Sequence, residues 1–299
     1  MLPRGGTILG TASRGKFSAK VGHGENRALP KELLKGVKAG MDALGLVALV
    51  SIGGDGSLSI AEQLFEYGIP IVGVPKTIDN DLEGTLFTFG FDSAVACATD
   101  ALDRLHTTAE SHNRVMVLEV MGRYAGWIAL FAGVAGGADV ILIPEIPFSY
   151  ESVCNKIQDR ENIGKKFTIV IVAEGAREKD GRFITSGVHT KTGEARLGGI
   201  GAVVSAEIEK RSGKESRVCV LGHLQRGGSP TTFDRALCSI FGATAVELIA
   251  AGEFGKMVAF TGPQVGSIKI SDAIGKIKTV RPDGNLVRTA RALGICFGD

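Results

Sequence analysis

This sequence predicts an α/β fold: two similar three-layer domains, each a mainly parallel sheet between helices. Three observations point there. Apolar runs of strand length recur at 47–52, 69–74, 115–120, 138–143 and 167–173, as expected of strands buried on both faces. Stretches with apolar residues at helical spacing separate them, as at 92–111, where Val95, Ala98, Leu102 and Leu105 share a face. Words rich in glycine, aspartate and arginine stand at the carboxyl ends of the apolar runs, the ligand-binding edge of an open parallel sheet.

Taken in order, residues 5–11 read as a turn and a short extended piece. A helix at 30–44 feeds the strand at 47–52, and a second helix, 57–67, leads to the strand at 69–74 and closes a first βαβ unit. The helix at 92–111 and the strand at 115–120 follow, then a strand at 138–143, a helix from Tyr150 and the strand at 167–173. Residues 176–199 are polar and glycine-rich, a hairpin or a mobile loop. A helix at 200–211, a strand at 217–221, a long helix at 232–251, a strand near Val258 and two short helices complete the 299 residues.

With 44% apolar residues the chain is ample for a core, and its net charge of +2 carries no nucleic-acid footprint. Cys97, Cys154, Cys219, Cys238 and Cys296 stand far apart, without metal-ligand spacing, which predicts reduced thiols in a cytoplasmic protein. The opening Met1-Leu2-Pro3-Arg4-Gly5 lacks the apolar centre of a signal peptide. The most apolar tract, 124–143, is broken by Gly136-Gly137-Ala138-Asp139 and is too interrupted for a membrane span.

Two loops carry chemistry. The first apolar run enters Gly53-Gly54-Asp55-Gly56-Ser57, where the scarcity of side chains lets backbone N–H groups approach phosphate oxygens and the following helix adds a positive dipole end. Asp55 suits a magnesium ion travelling with those phosphates. A plain β-turn with Asp55 as helix cap is the alternative for these residues. The second run ends in Lys76-Thr77-Ile78-Asp79-Asn80-Asp81. In an extended segment Thr77, Asp79 and Asp81 point the same way, so one carboxylate can take a proton while the other helps to hold the metal. An Asx-turn is the alternative there.

These words, with Gly5-Gly6-Thr7-Ile8-Leu9-Gly10-Thr11 and Arg14, Met121-Gly122-Arg123, Glu174-Gly175 and Leu221-Gly222-His223-Leu224-Gln225-Arg226-Gly227-Gly228-Ser229-Pro230, resemble the 6-phosphofructokinase family over nearly the whole chain. The first loop alone also occurs in NAD kinases and lipid kinases, which have no use for the other words. The resemblance implies a phosphofructokinase-like fold, with 1–88 plus 226–275 as the nucleotide-binding domain and 89–225 plus 276–299 as the sugar-phosphate-binding domain. It implies phosphoryl transfer from MgATP to the 1-hydroxyl of fructose 6-phosphate in the cleft between them. Asp79 would be the base, positioned by Thr77. Asp55 and Asp81 would hold magnesium, Gly54, Asp55, Gly56, Ser57 and Lys76 the nucleotide, and Arg14 and Arg123 the charge on the transferred group. Arg114, Arg217, His223 and Arg226 would fix the 6-phosphate, Met121, Gly122 and Arg123 line the sugar, and Glu174 accept from its hydroxyls. Arg114 and Arg217 would reach across to a neighbouring subunit, in a homotetramer with shared sites.

Two departures matter. ATP users of the family often carry glycine at the positions of Gly56 and Lys76, whereas pyrophosphate users carry aspartate and lysine. Here the pair is mixed. Gly56 leaves room for an α-phosphate that an aspartate would crowd and repel, which favours ATP over pyrophosphate. Members of the family usually begin further upstream with another strand and a Gly-Gly-Asp loop, so a non-catalytic sugar-phosphate-binding subunit is a third reading. His106 stands where allosteric bacterial members place an effector-binding arginine, and their nucleotide response is not expected here.

Overall fold

The computed structural model describes residues 2–11, 17, 20–21, 25–26, 28–179, 181–189 and 195–299. They fall into two compact units. The first comprises Met1–Phe91, His189–Glu194 and Ser229–Lys278, the second Asp92–Val188, Ala195–Gly228 and Thr279–Asp299.

The first unit opens with a small antiparallel pair, β1 (Lys20–Val21) and β2 (Glu25–Asn26). Helix α1 (Lys31–Leu44) buries Leu34 and Met41 and stops at Gly45, whose φ of 64° suits a residue without Cβ. β3 (Leu49–Gly53), α2 (Asp55–Glu66) and β4 (Ile71–Thr77) form the βαβ unit, and the short β5 (Phe89–Gly90) pairs with the end of β4.

In the second unit α3 (Phe91–His112) leads into β6 (Val115–Val120), α4 (Trp127–Ala135), β7 (Val140–Leu142), α5 (Tyr150–Asn162) and β8 (Thr168–Ala173). Within 176–199, β9 (Thr185–His189) and β10 (Ala195–Leu197) pair as a two-stranded sheet. After it come α6 (Ile200–Ser212), β11 (Ser216–Val220) and the 3₁₀ helix η1 (Gly222–Arg226). The chain then adds α7 (Thr232–Ala250), β12 (Lys256–Phe260), β13 (Val265–Lys269) and α8 (Ile270–Ala273) to the first unit, and α9 (Asn285–Ala292) to the second.

The first sheet runs β13-β12-β4-β3 and is parallel except for the β12–β13 hairpin. Leu49, Ile71, Met257 and Ala259 face a core built with α1, α2 and α8, while Val72, Val74 and Val258 face α7. β3 is an edge strand: Val50 is 41% and Ile52 45% exposed, against full burial of the central β4 residues. The second sheet, β11-β6-β8-β7, is wholly parallel, and every residue of β8 is buried.

The sequence pattern does not anticipate α4 or β13. Trp127–Ala135 is apolar on every side, as a helix packed all round must be, so it shows no 3.6-residue alternation. Val265–Lys269 has only partly buried or exposed residues and earns its place by pairing with β12. Among the described residues no helix is long and apolar enough to cross a membrane, and the five cysteines are free. His106 packs edge-on against Phe167 with Nε2 2.8 Å from the Gly136 carbonyl.

Candidate active site

In the first unit, β3 and β4 are parallel neighbours with Gly53 level with Pro75, so the loops that leave their carboxyl ends lie side by side. Helix α2 starts at Asp55, two residues earlier than its apolar pattern implies, with extended Gly54 as its cap. The Leu58 amide makes the first intrahelical bond, to Gly54 O at 3.0 Å, so the amides of Asp55, Gly56 and Ser57 precede the ladder at the positive end of the helix. A Cβ at Gly54 would stand 3.3 Å from that of Thr77, and one at Gly53 would collide with Ser57. The glycines therefore allow the two loops to close on each other, and put no Cβ of their own at the helix start.

Thr77 ends β4, and its hydroxyl accepts from the Asp79 amide at 3.2 Å and donates to Asp79 Oδ2 at 3.3 Å. Asp79 is 6% exposed, and its Oδ1 has no hydrogen-bond partner among the described residues. A buried carboxylate oxygen without a donor is costly, by about 1–3 kcal/mol or more, and invites a proton-bearing ligand. The expected alternation of Thr77, Asp79 and Asp81 along an extended segment is not what forms. The chain bends at Ile78 and Asp79, and Asn80 has a left-handed φ of 51°, so strand geometry ends at Thr77. Asp79 is accordingly buried while Asp81 stays half-buried. No group of three or more His, Cys, Asp or Glu side chains close enough to cage a metal occurs among the described residues.

Asn80 and Lys278 hold this bend, and neither was singled out from the sequence. The Asn80 side chain accepts from Thr88 N at 3.0 Å and Lys278 Nζ at 3.2 Å, and donates to Leu86 O at 3.2 Å. Burial pushes the Lys278 ammonium down to about 8, against the opposing pull of Asp81 and Glu83, so at neutral pH it still carries its three protons.

In the second unit the same end of the sheet is equipped differently. Met121, Gly122 and Arg123 follow β6, Glu174 follows β8 and η1 follows β11, on three adjacent parallel strands. Arg123 has a left-handed φ of 53°, its amide donates to Glu174 Oε1 at 2.9 Å, and a Cβ at Gly175 would lie only 2.1 Å from Arg123 O. Glycine after Glu174 is thus what lets these two loops touch. In η1, side chains three apart eclipse, which brings exposed His223 and Arg226 onto one side. Between them Gln225 turns inward: it is 2% exposed, and its Oε1 accepts from Met121 N at 2.8 Å. The sequence signal for Gln225 was its place inside the LGHLQRGG word.

Arg114 and Arg217 are not brought to this group. Arg114 precedes β6 and Arg217 lies level with Met116, at the amino-terminal end of the sheet. The length of β6, roughly 20 Å at 3.3 Å per residue, separates them from the Met121 turn. Both pair with Glu215, and the Arg114 hydrogen bond is the main cause holding that carboxyl below its usual range. Lys76, in β4, is half-buried. Arg14 lies outside the described residues.

Amides at a helix start beside a buried, unsatisfied carboxylate suit phosphoryl transfer, the chemistry of α/β phosphoryl-transfer enzymes. Comparison with known proteins narrows that class. A family model described as Phosphofructokinase matches residues 1–249, and the chain belongs to that family. It is 54% identical to an ATP-dependent 6-phosphofructokinase of Chloroflexus aurantiacus, over 100% of this chain and 82% of the relative. It is 49% identical to a pyrophosphate–fructose 6-phosphate 1-phosphotransferase of Streptomyces coelicolor, over 94% of this chain and 80% of the relative. Among solved structures, Pichia pastoris phosphofructokinase in the T-state superposes with a TM-score of 0.77 at 30% identity, over 91% of this chain and 28% of that much longer one.

Proposed function

We propose that the chain is an ATP-dependent 6-phosphofructokinase, with Asp79 accepting the proton of the fructose 6-phosphate 1-hydroxyl as that oxygen attacks the γ-phosphoryl group. The observation that carries this reading is Asp79 itself, 6% exposed with Oδ1 unpartnered. The hydrogen bond to Thr77 leaves its other oxygen occupied, so Oδ1 is the proton acceptor. Gly54, Gly56 and Ser57, at the α2 amino terminus, bind phosphate oxygens of the donor. Asp55 and Asp81 would hold magnesium. Phosphate oxygens and water would complete the shell of that ion, which would neutralise charge on the transferred group.

His223 and Arg226 grip the 6-phosphate, the forked guanidinium and the imidazole both serving as donors. Met121, Gly122 and Arg123 form the wall against the sugar, and Glu174 fixes the Arg123 turn while accepting from sugar hydroxyls. Arg123 and Arg14 take the charge that grows in the transition state. Arg114 and Arg217, far along the strands from His223, complete the phosphate site of a neighbouring copy, which makes a homo-oligomer, a tetramer in this reading, part of the mechanism.

A second reading is favoured by Lys76 and by the Streptomyces coelicolor relative: the same transfer with pyrophosphate as donor. Coupled assays of fructose 1,6-bisphosphate formation with ATP and with pyrophosphate separate the two. Turnover with ATP and little with pyrophosphate is expected. The reverse would assign Lys76 to the donor choice, and none with either donor would remove the kinase reading.

A further inference from the structure

We propose that Lys278 is a positioning residue for phosphoryl transfer, locking the left-handed Asn80 and through it the two aspartates that flank it. The inference rests on the reading of Asp79 as base. Lys278 Nζ lies 2.8 Å from Thr85 O, 3.1 Å from Leu86 O and 3.2 Å from Asn80 Oδ1, three acceptors for the three protons of one compact ammonium. Its backbone N–H donates to Asp81 O at 2.9 Å, and next to it Ile277 forms an antiparallel bridge with Leu82. The carboxyl-terminal segment of the unit is thereby stitched to the Asp79–Asp81 bend and to the segment that follows it.

Asn80 is where the stitching acts. It is 2% exposed and has φ of 51°, a left-handed conformation that asparagine adopts more readily than most residues other than glycine and that its surroundings here fix. Those surroundings close a circuit. Asn80 Nδ2 reaches Leu86 O, Oδ1 takes Thr88 N, and the Thr88 hydroxyl returns to Thr77 O at 2.8 Å, the last carbonyl of β4. Thr77 in turn holds Asp79 by two hydrogen bonds. Lys278 is the cation of this circuit, so the direction of the Asp79 carboxylate depends on a side chain 198 positions from Asn80 in sequence.

The test compares the unmodified chain, Lys278→Ala and Asn80→Gly, assayed with fructose 6-phosphate and MgATP. Lys278→Ala is expected to lower kcat about 100-fold, the cost of misplacing a catalytic group by an ångström. KM for both substrates should stay within about threefold, since neither is held by this residue. Ethylammonium in the buffer should restore about tenfold of that loss by occupying the vacated ammonium site. Asn80→Gly keeps the left-handed backbone and removes the side-chain circuit, and should show the same kcat loss. It carries the test should Lys278→Ala not fold. Unchanged kcat, or kcat and KM falling and rising together without ethylammonium rescue, would overturn the assignment. Absence of turnover in the unmodified chain removes the functional reading itself, and the role of Lys278 with it.

Discussion

The bend after β4 and the 3₁₀ turn after β11 both stand at the carboxyl end of a parallel sheet, and they are built to opposite rules. The first is sunk: Asp79 and Asn80 are 6% and 2% exposed, and the turn is held by Thr77, Thr88 and Lys278. The second is open: His223 and Arg226 are exposed, with only Gln225 buried beneath them to tie the turn to Met121. Under the proposed roles, Asp79 as base and His223 and Arg226 as phosphate grip, the difference follows from the work each would do. A base must meet one proton within a few tenths of an ångström and away from water, whereas a phosphate dianion can be caught by cations with some freedom. Rigidity is placed where direction matters.

Four substitutions break or sharpen that comparison. Asp79→Ser should have the largest effect, a fall in kcat of about 10³-fold, in line with loss of a general base, read in a coupled assay at saturating substrates. Arg226→Ala should instead act on KM for fructose 6-phosphate, raising it by about 10²-fold with a smaller change in kcat. Mixing that variant with Arg217→Ala after dissociation and reassociation should recover activity. If copies share sites, some sites in the hybrid carry neither change. No recovery would confine each site to one chain and leave Arg217 to Glu215. Gln225→Leu should have the smallest effect, a rise of about fivefold to tenfold in the same KM with the ATP value unmoved, since one buried hydrogen bond of about 1–2 kcal/mol is lost. Equal movement of both KM values would make Gln225 a residue of the fold alone.

How far the sequence was legible differs along the same line. The strands of both sheets other than β5 and β13, and most of their helices, read correctly because continuous apolar runs and helical stripes are local signals. The Asp79 loop and the His223 turn read as binding words because glycine, aspartate and histidine cluster there. The bend itself did not. Alternation along 77–81 presumes an extended chain, and the Asx-turn alternative alone allowed for a bend there, while the groups that hold Asn80 come from Thr88 and Lys278. Lys278 is one of 34 basic residues and sits in no motif, so only its burial against three oxygens distinguishes it. The resemblance assigned Arg114 and Arg217 to the phosphate of a neighbouring subunit, and along a single chain they lie at the opposite end of the strands from His223 and Arg226.

The claim that Asp79 supplies chemistry and not affinity is tested most directly by calorimetric titration of Asp79→Ser with fructose 6-phosphate. Binding within about threefold of the unmodified chain is the expected result, alongside its lost turnover. If the sugar phosphate no longer binds, Asp79 is part of the grip, and the division of labour between the sunken loop and the open turn is wrong.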